Sequence, residues 1–480
     1  MAGAALELDL GELHPRQGDA FDSEATEILY GGAAGGGKSH LLRLAAILWC
    51  MMIPGLQVYL FRRTFPDLWK NHMEGPSGFP ALLAPLMAAK RVSINLSDGV
   101  VAFPNGSKIF LCHCQHEKDV IKYQGAEIHL LLMDELTHFT QKIYRFLRGR
   151  VRLGGLKVPA EYKHLFPRII CGSNPGGVGH NWVKSSWVDM GAPMAIVRMD
   201  KKEGGMLRQY VPALLDDNPT LKENDPDYED RLEGLGDPNL VKAMKTGDWN
   251  IVSGGMFDDV YSSTVHELTP FPIPFSWRID RAFDWGSSKP FSVGWWAESD
   301  GTEATLPDGR KKAWPKGTLF RIAEWYGWNG QANEGCKMLA VEVAKGIKDR
   351  EKDYPWGIRV QPGPADNSIF DAENGVCIAD DMLKHGVRWE RSDKSPGSRK
   401  TGWEAMRKMF KAAKQHPMEE PGLFVFNNCR DGFIRTVPVL PRDDRKTDDV
   451  DTDAEDHTGD EVRYRCLAVR KTAAFHAINF

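Results

Sequence analysis

The chain has 480 residues, with 61 Lys and Arg against 65 Asp and Glu, a formal charge of −4, and is 42% hydrophobic and 26% charged. That profile excludes a collagen-like, largely disordered or disulfide-scaffolded protein, and the length predicts two or three domains. Net charge announces no nucleic-acid partner, so any such site must be a local basic patch. Eight Cys without framework spacing predict a reduced protein. The start, MAGAALELDLGELHP, lacks a basic segment followed by an apolar one, so no secretory signal is expected. The longest apolar run, 41–61, is broken by Arg43, Pro54 and Gln57 and reads as a buried helix, a turn and a strand, not a membrane span.

Residues 24–175 alternate apolar strands with helical stretches, the pattern of a parallel α/β sheet. Strands are predicted at 27–30, 57–61, 108–113, 128–133 and 168–171, and helices at 39–52, 117–122 and 142–150. From about 205 to 250 the sequence turns polar and helical. A Gly-rich joint, Ser253-Gly254-Gly255, precedes a Pro-rich stretch, 266–274, and marks a domain boundary. The second half restarts with strands at 278–283, 292–296 and 318–325, a helix at 333–348 and a short strand at 357–360. Residues 384–414 carry ten Lys/Arg against three acids, suited to phosphate-backbone contact, and 443–460 carry nine acids, read as a loop.

Gly32-Ala-Ala-Gly35-Gly36-Gly37-Lys38-Ser39 matches G-x-x-x-x-G-K-[ST] at every fixed position, after a strand and before a helix. Such glycines let backbone N–H groups converge on phosphate oxygens, Lys38 would neutralise the β- and γ-phosphates, and Ser39 would ligate Mg²⁺. About 95 residues on, an apolar strand ends in Asp134-Glu135, beside the phosphate loop in a parallel sheet. Asp134 would hold Mg²⁺ and Glu135 would polarise the attacking water. Arg62, Arg63, Arg148, Arg150 and Arg152 are the candidates for a transition-state cation.

In the second half Asp284 ends a strand before the turn at Gly286, Asp366 follows a strand-like segment, and Asp456 and Asp460 share one helical face. Each alone reads as a cap or turn residue. Together they could hold two hard cations, Mg²⁺ or Mn²⁺, roughly 3.5–4 Å apart, one activating water and the other stabilising a leaving 3′-oxygen.

Beyond these motifs, Cys171-Gly172-Ser173-Asn174-Pro175-Gly-Gly-Val-Gly-His180-Asn-Trp182-Val-Lys184, Leu215-Asp-Asp-Asn-Pro219 with Gly247-Asp248-Trp249, and Asp284-Trp-Gly286 with Asp366 and Asp456-His457-x-x-Asp460 resemble the large terminase subunit of tailed bacteriophages over nearly the whole chain. The resemblance implies an α/β protein: an N-terminal P-loop ATPase with a parallel sheet (1–205), a helical linker (206–265) and a C-terminal ribonuclease H-like nuclease domain (266–480). It implies ATP and Mg²⁺ at Gly32, Gly35, Gly36, Gly37, Lys38, Ser39 and Asp134. It also implies Asn174 as the coupling sensor, Gln17 as an adenine contact, and nuclease metals at Asp284, Asp366 and Asp456 or Asp460, with His457 open as a contributor. The implied partners are double-stranded DNA, a portal ring, a small terminase subunit and other copies in a ring, with no membrane. The implied location is the host cytoplasm, docked transiently on the procapsid and absent from the mature virion. The phosphate loop has Ala33-Ala34 where many relatives carry an arginine, so that cation must come from elsewhere. The alternative is an ATP-dependent DNA translocase or helicase whose second domain only binds DNA.

Overall fold

The structure, a computed structural model, describes residues 10–477 except 12, 235–240, 243–244, 250–254, 373–375 and 444–445. The expected Gly-rich joint falls largely outside the described residues. The chain divides into two compact units, Met1–Ser253 and Gly254–Phe480.

The first unit is built on a nine-stranded sheet. Its strands are β1 (Glu27–Gly32), β2 (Gln57–Arg62), β3 (Ser93–Asn95), β4 (Val100–Ala102), β5 (Lys108–His113), β6 (Leu130–Asp134), β7 (Arg168–Ser173), β8 (Ile196–Arg198) and β9 (Leu207–Ala213). They lie in the order β3-β4-β5-β2-β6-β7-β1-β9-β8, with the six from β5 to β9 parallel and β3, β4 and β8 antiparallel additions at the edges. β1, β6 and β7 are buried along their whole length, as expected of central strands covered on both faces. The Lys38–Met52 helix packs its apolar residues Leu41, Leu42, Ala45 and Ile47 into the core beneath them.

Three differences from the sequence reading matter here. Residues 207–213, expected in a polar helical stretch, form β9 beside β1, because Arg208 is buried in an ion pair with Glu27 at 2.7 Å and so occupies an interior position. The 117–122 helix is a 3-10 turn, Glu117–Tyr123. The Phe65–His72 helix, capped by Thr64 and begun by Phe65-Pro66, follows β2 unforeseen.

The second unit has a seven-stranded sheet. Its members are β10 (Glu267–Leu268), β11 (Arg278–Asp284), β12 (Ser292–Glu298), β15 (Leu319–Tyr326), β16 (Pro364–Ala365), β17 (Glu390–Arg391) and β18 (Leu423–Phe426), in the order β10-β18-β15-β12-β11-β16-β17; β13 (Ala304–Thr305) and β14 (Lys311–Lys312) pair separately. β11, β12 and β15 form an antiparallel meander, and β16 and β17 extend it in parallel from β11. Alternation along β11 and β12 sends Ile279, Phe283, Val293 and Trp295 into one core, with Val343 and Ile347 of the Ala340–Asp353 helix. Ala282 and Trp296 face the other core, with Trp403 and Met406 of the Ser398–Ala413 helix and Val462 of the His457–Ala477 helix. Asp284 has the parity of Ala282 and so points toward that second helix pair.

The predicted strand at 357–360 is a 3-10 turn, Gly357–Arg359, and the helix predicted at 333–348 begins only at Ala340, since Asn333 and Lys337 take positive φ of 59° and 60° in the loop before it. Among the described residues no helix is long and apolar enough to cross a membrane.

Candidate functional site

The phosphate loop runs from the end of β1 into the Lys38–Met52 helix. β6 ends one strand away, with β7 between them. Asp134 lies opposite Gly172 in the β6–β7 register. A side chain at Gly172 would meet Lys38 Cβ at 3.3 Å and Asp134 Oδ1 at 3.5 Å, so the glycine lets the loop lysine and the strand acid approach across β7.

Asp134 is fully buried. The Ser39 hydroxyl lies 3.2 Å from its Oδ1 and 3.1 Å from its Oδ2. The His72 Nε2 reaches Oδ2 at 3.0 Å, and Arg62 Nε approaches it at 3.1 Å. Burial works to raise the Asp134 carboxyl, but the His72 hydrogen bond and the Arg62 charge overcome it and hold it well below the usual carboxylate range. Lys38, 7% exposed, donates to the Ala33 carbonyl at 3.1 Å, and burial draws its ammonium below the usual range despite Glu135 and Asp134. Glu135 turns away from its neighbour with φ 56° and lies 3.7 Å from Arg62 Nη2.

Of the five candidate arginines, Arg62 is thus placed at both acids. Arg63 donates to the His138 carbonyl at 3.1 Å, Arg148 to the Glu203 carbonyl at 2.7 Å, and Arg150 to the Gln124 carbonyl at 3.0 Å.

Asn174 follows β7 directly. Thr137 donates to its backbone carbonyl at 3.1 Å, tying it to the segment after Glu135, while its side-chain Oδ1 is buried without a hydrogen-bond partner among the described residues. Gln17, expected at the adenine, is buried with both amide atoms engaged inside the chain: Nε2 donates 3.0 Å to the Gly37 carbonyl, and Oε1 accepts from His14 N at 2.9 Å.

The linker-like motifs also touch the loop. Asn218 Nδ2 donates to the Gly35 carbonyl at 2.6 Å. Gly247, at φ 62°, lies so close that a Cβ there would be 2.7 Å from the Gly32 carbonyl carbon, and Trp249 stacks on His180 at 5.6 Å while donating to Tyr210.

In the second unit the expected acids sit around Tyr464 near the end of β11. Tyr464 donates to Asp284 at 3.3 Å, and His457 Nδ1 lies 3.4 Å from the same carboxylate. Burial, with the charges of Asp460 and Asp366, pushes Asp284 up to about 7 against the pull of His457. Burial and Asp460 push Asp456 up to about 6. Asp366 is held by Lys394 at 2.6 Å and by the Ser368 hydroxyl at 2.6 Å, which overcome burial and keep it below its ordinary value.

The sequence reading missed Arg399, whose guanidinium reaches Asp449 at 2.7 Å, Asp456 at 2.9 Å and Asp460 at 3.1 Å. The mutual repulsion of these acids suits hard cations chemically. Arg399 and Lys394 already hold them, and among the described residues no three His, Cys, Asp or Glu side chains are grouped to hold a metal. In this structure the acids expected to hold two cations are engaged by Tyr464, His457, Lys394 and Arg399. The basic stretch that supplies Arg399 and Lys394 was visible in the sequence, but its pairing with these acids was not.

Residues 29–259 match the family described as terminase large subunit, T4likevirus-type, N-terminal. No curated protein matches the chain. The large terminase of a thermophilic bacteriophage aligns at 14% identity over 95% of this chain and 98% of its own, with a TM-score of 0.40. The HK97 bacteriophage large terminase aligns at 11% identity over 95% of both chains, with a TM-score of 0.43. The P22 large terminase nuclease domain aligns at 15% identity over 45% of this chain and 93% of its own, with a TM-score of 0.32. The matched stretch carries the phosphate loop, Asp134-Glu135 and Asn174.

Proposed function

We propose that the chain is the motor subunit of a bacteriophage DNA-packaging machine, which hydrolyses ATP to translocate double-stranded DNA into a procapsid and cuts concatemeric DNA. The observation that carries the reading is the meeting of the Ser39 hydroxyl with both oxygens of the buried Asp134 at the mouth of a complete phosphate loop.

In this reading the loop backbone binds the triphosphate and Lys38 neutralises its β- and γ-oxygens. Ser39 and Asp134 would hold Mg²⁺, which when bound neutralises charge developing on the phosphates. Glu135 orients the attacking water and accepts its proton. Arg62, which already bridges the two acids, is the transition-state cation within the subunit. The unpartnered Oδ1 of Asn174 is the group whose satisfaction changes with the nucleotide, and its tie to Thr137 passes that change to the segment after Glu135. Gln17 and Asn218 steady the loop by its carbonyls. DNA is gripped through its backbone, without sequence preference. A portal ring, a small subunit and neighbouring copies are the partners, engaged transiently in the host cytoplasm.

The second unit is read as the nuclease, with Asp284, Asp366, Asp456 and Asp460 as its carboxylates. A specific observation favours the alternative, a translocase or helicase whose second unit only binds DNA: Arg399 and Lys394 engage those acids. Plasmid cleavage by the purified chain in Mg²⁺ or Mn²⁺, beside Asp366→Ala, decides between them. The nuclease reading expects nicking and linearisation that the substitution abolishes, with DNA-stimulated ATP hydrolysis retained. ATP hydrolysis without cleavage in either metal would favour the alternative, or a nuclease held off until partners assemble.

A further inference from the structure

The Phe65–His72 helix ends on a histidine that no motif assigns. His72 is fully buried, stacks 6.3 Å from Phe79, and directs Nε2 to Asp134 Oδ2 at 3.0 Å. A carboxylate only accepts, so Nε2 carries the proton in this contact. Its Nδ1 is buried without a hydrogen-bond partner among the described residues. The neighbouring donors differ in kind. Ser39 reaches both Asp134 oxygens, and Arg62 brings a full positive charge to Oδ2.

We propose that His72 is a positioning residue for the cation site of Ser39 and Asp134: it fixes the carboxylate's rotation. A buried ring stacked beside Phe79, with Nε2 on Oδ2, keeps the carboxylate from turning away from the Ser39 hydroxyl. Partners of this kind, one step behind a ligating carboxylate, change metal affinity by about 10–100-fold when removed. The inference rests on the nucleotide-site reading and deepens it.

The test titrates Mg²⁺ against binding of a fluorescent ATP analogue to the full chain, for wild type, His72→Leu, His72→Gln and Lys38→Ala. His72→Leu is expected to raise the Mg²⁺ concentration for half-maximal Mg²⁺-dependent binding by about 10–100-fold. His72→Gln, whose amide can still donate to Asp134, is expected to stay within a few-fold of wild type. An unchanged Mg²⁺ requirement in His72→Leu would overturn the inference. So would equal losses in both variants, since a packing role alone would account for them; circular dichroism identifies any variant that has not folded. If Lys38→Ala binds the analogue as wild type does, the nucleotide-site reading itself falls and takes this inference with it.

Discussion

Glu135→Gln is expected to lower ATP turnover by roughly 10²–10⁴-fold, the range for losing a positioned base, and to lower analogue binding far less. The two adjacent acids stand in opposite environments. Asp134 ends β6 wholly buried, with both oxygens taken up by Ser39, His72 and Arg62. It can serve a cation held by that cage but has no free oxygen for a water proton.

Glu135 leaves the strand in the left-handed region at φ 56°, a conformation that costs a non-glycine residue about 1 kcal/mol or more. The turn carries its carboxylate out of the strand's buried row, to 17% side-chain exposure, with Arg62 at 3.7 Å as its ionic neighbour. Glutamine keeps the length and the backbone demand but cannot accept a proton at neutral pH. Phosphate release measured with and without DNA checks the result. Turnover within a few-fold of wild type would remove Glu135 from the water-activating role and point to a base outside this turn.

The largest expected effect on stability lies in the second unit. Glu461→Leu destabilises it by roughly 3–5 kcal/mol, the cost of stranding a buried charge, and lowers its unfolding temperature by on the order of 10 °C. Glu461 and Arg321 are both wholly buried and form an ion pair between the His457–Ala477 helix and β15. Trp296 Nε1 donates to the same carboxylate at 2.7 Å, and the Ser292 hydroxyl lies 3.4 Å from it. Burial works against the Arg321 charge, but Glu461 and Glu324 overcome it and hold the guanidinium firmly protonated.

With Glu461 gone, the remaining acid is Glu324 at 3.5 Å, whose oxygens already accept from the backbone of Gly432 and Phe433. Adding Arg321→Met to Glu461→Leu should recover most of the loss, because an apolar pair of similar volume has no stranded charge. Calorimetry of the single and double variants checks both statements. A single-variant loss below about 1 kcal/mol would mean that Glu324 alone satisfies Arg321.

The parts legible in the sequence are those governed by near neighbours. Residues 32–39 read as a phosphate loop because the turn chemistry, the preceding strand and the following helix are contiguous. Residues 128–133 read as a central strand because burial on both faces demands an unbroken apolar run. The β11–β12 hairpin was legible from its two strands and the turn at Gly286. β9 was not, since Arg208 makes it look exposed until Glu27 is known to lie on the adjacent strand. The stretch 443–460 read as an acidic loop, yet Asp456 abuts the helix that starts at His457, whose apolar side packs Val462 against Trp403.

By itself, then, the sequence determined the phosphate loop, the acid pair at the end of β6, the two-part α/β organisation and the four acids of the second half. Only the tertiary structure decided which donors each carboxylate meets. It put His72 and Arg62 on Asp134, Gln17 on the loop carbonyl of Gly37, and Arg399 among Asp449, Asp456 and Asp460. The reason is one of range. Backbone conformation follows from residues a few positions apart, whereas a buried charge takes whatever partner the packed elements bring within about 3 Å, and that partner can lie anywhere in the chain.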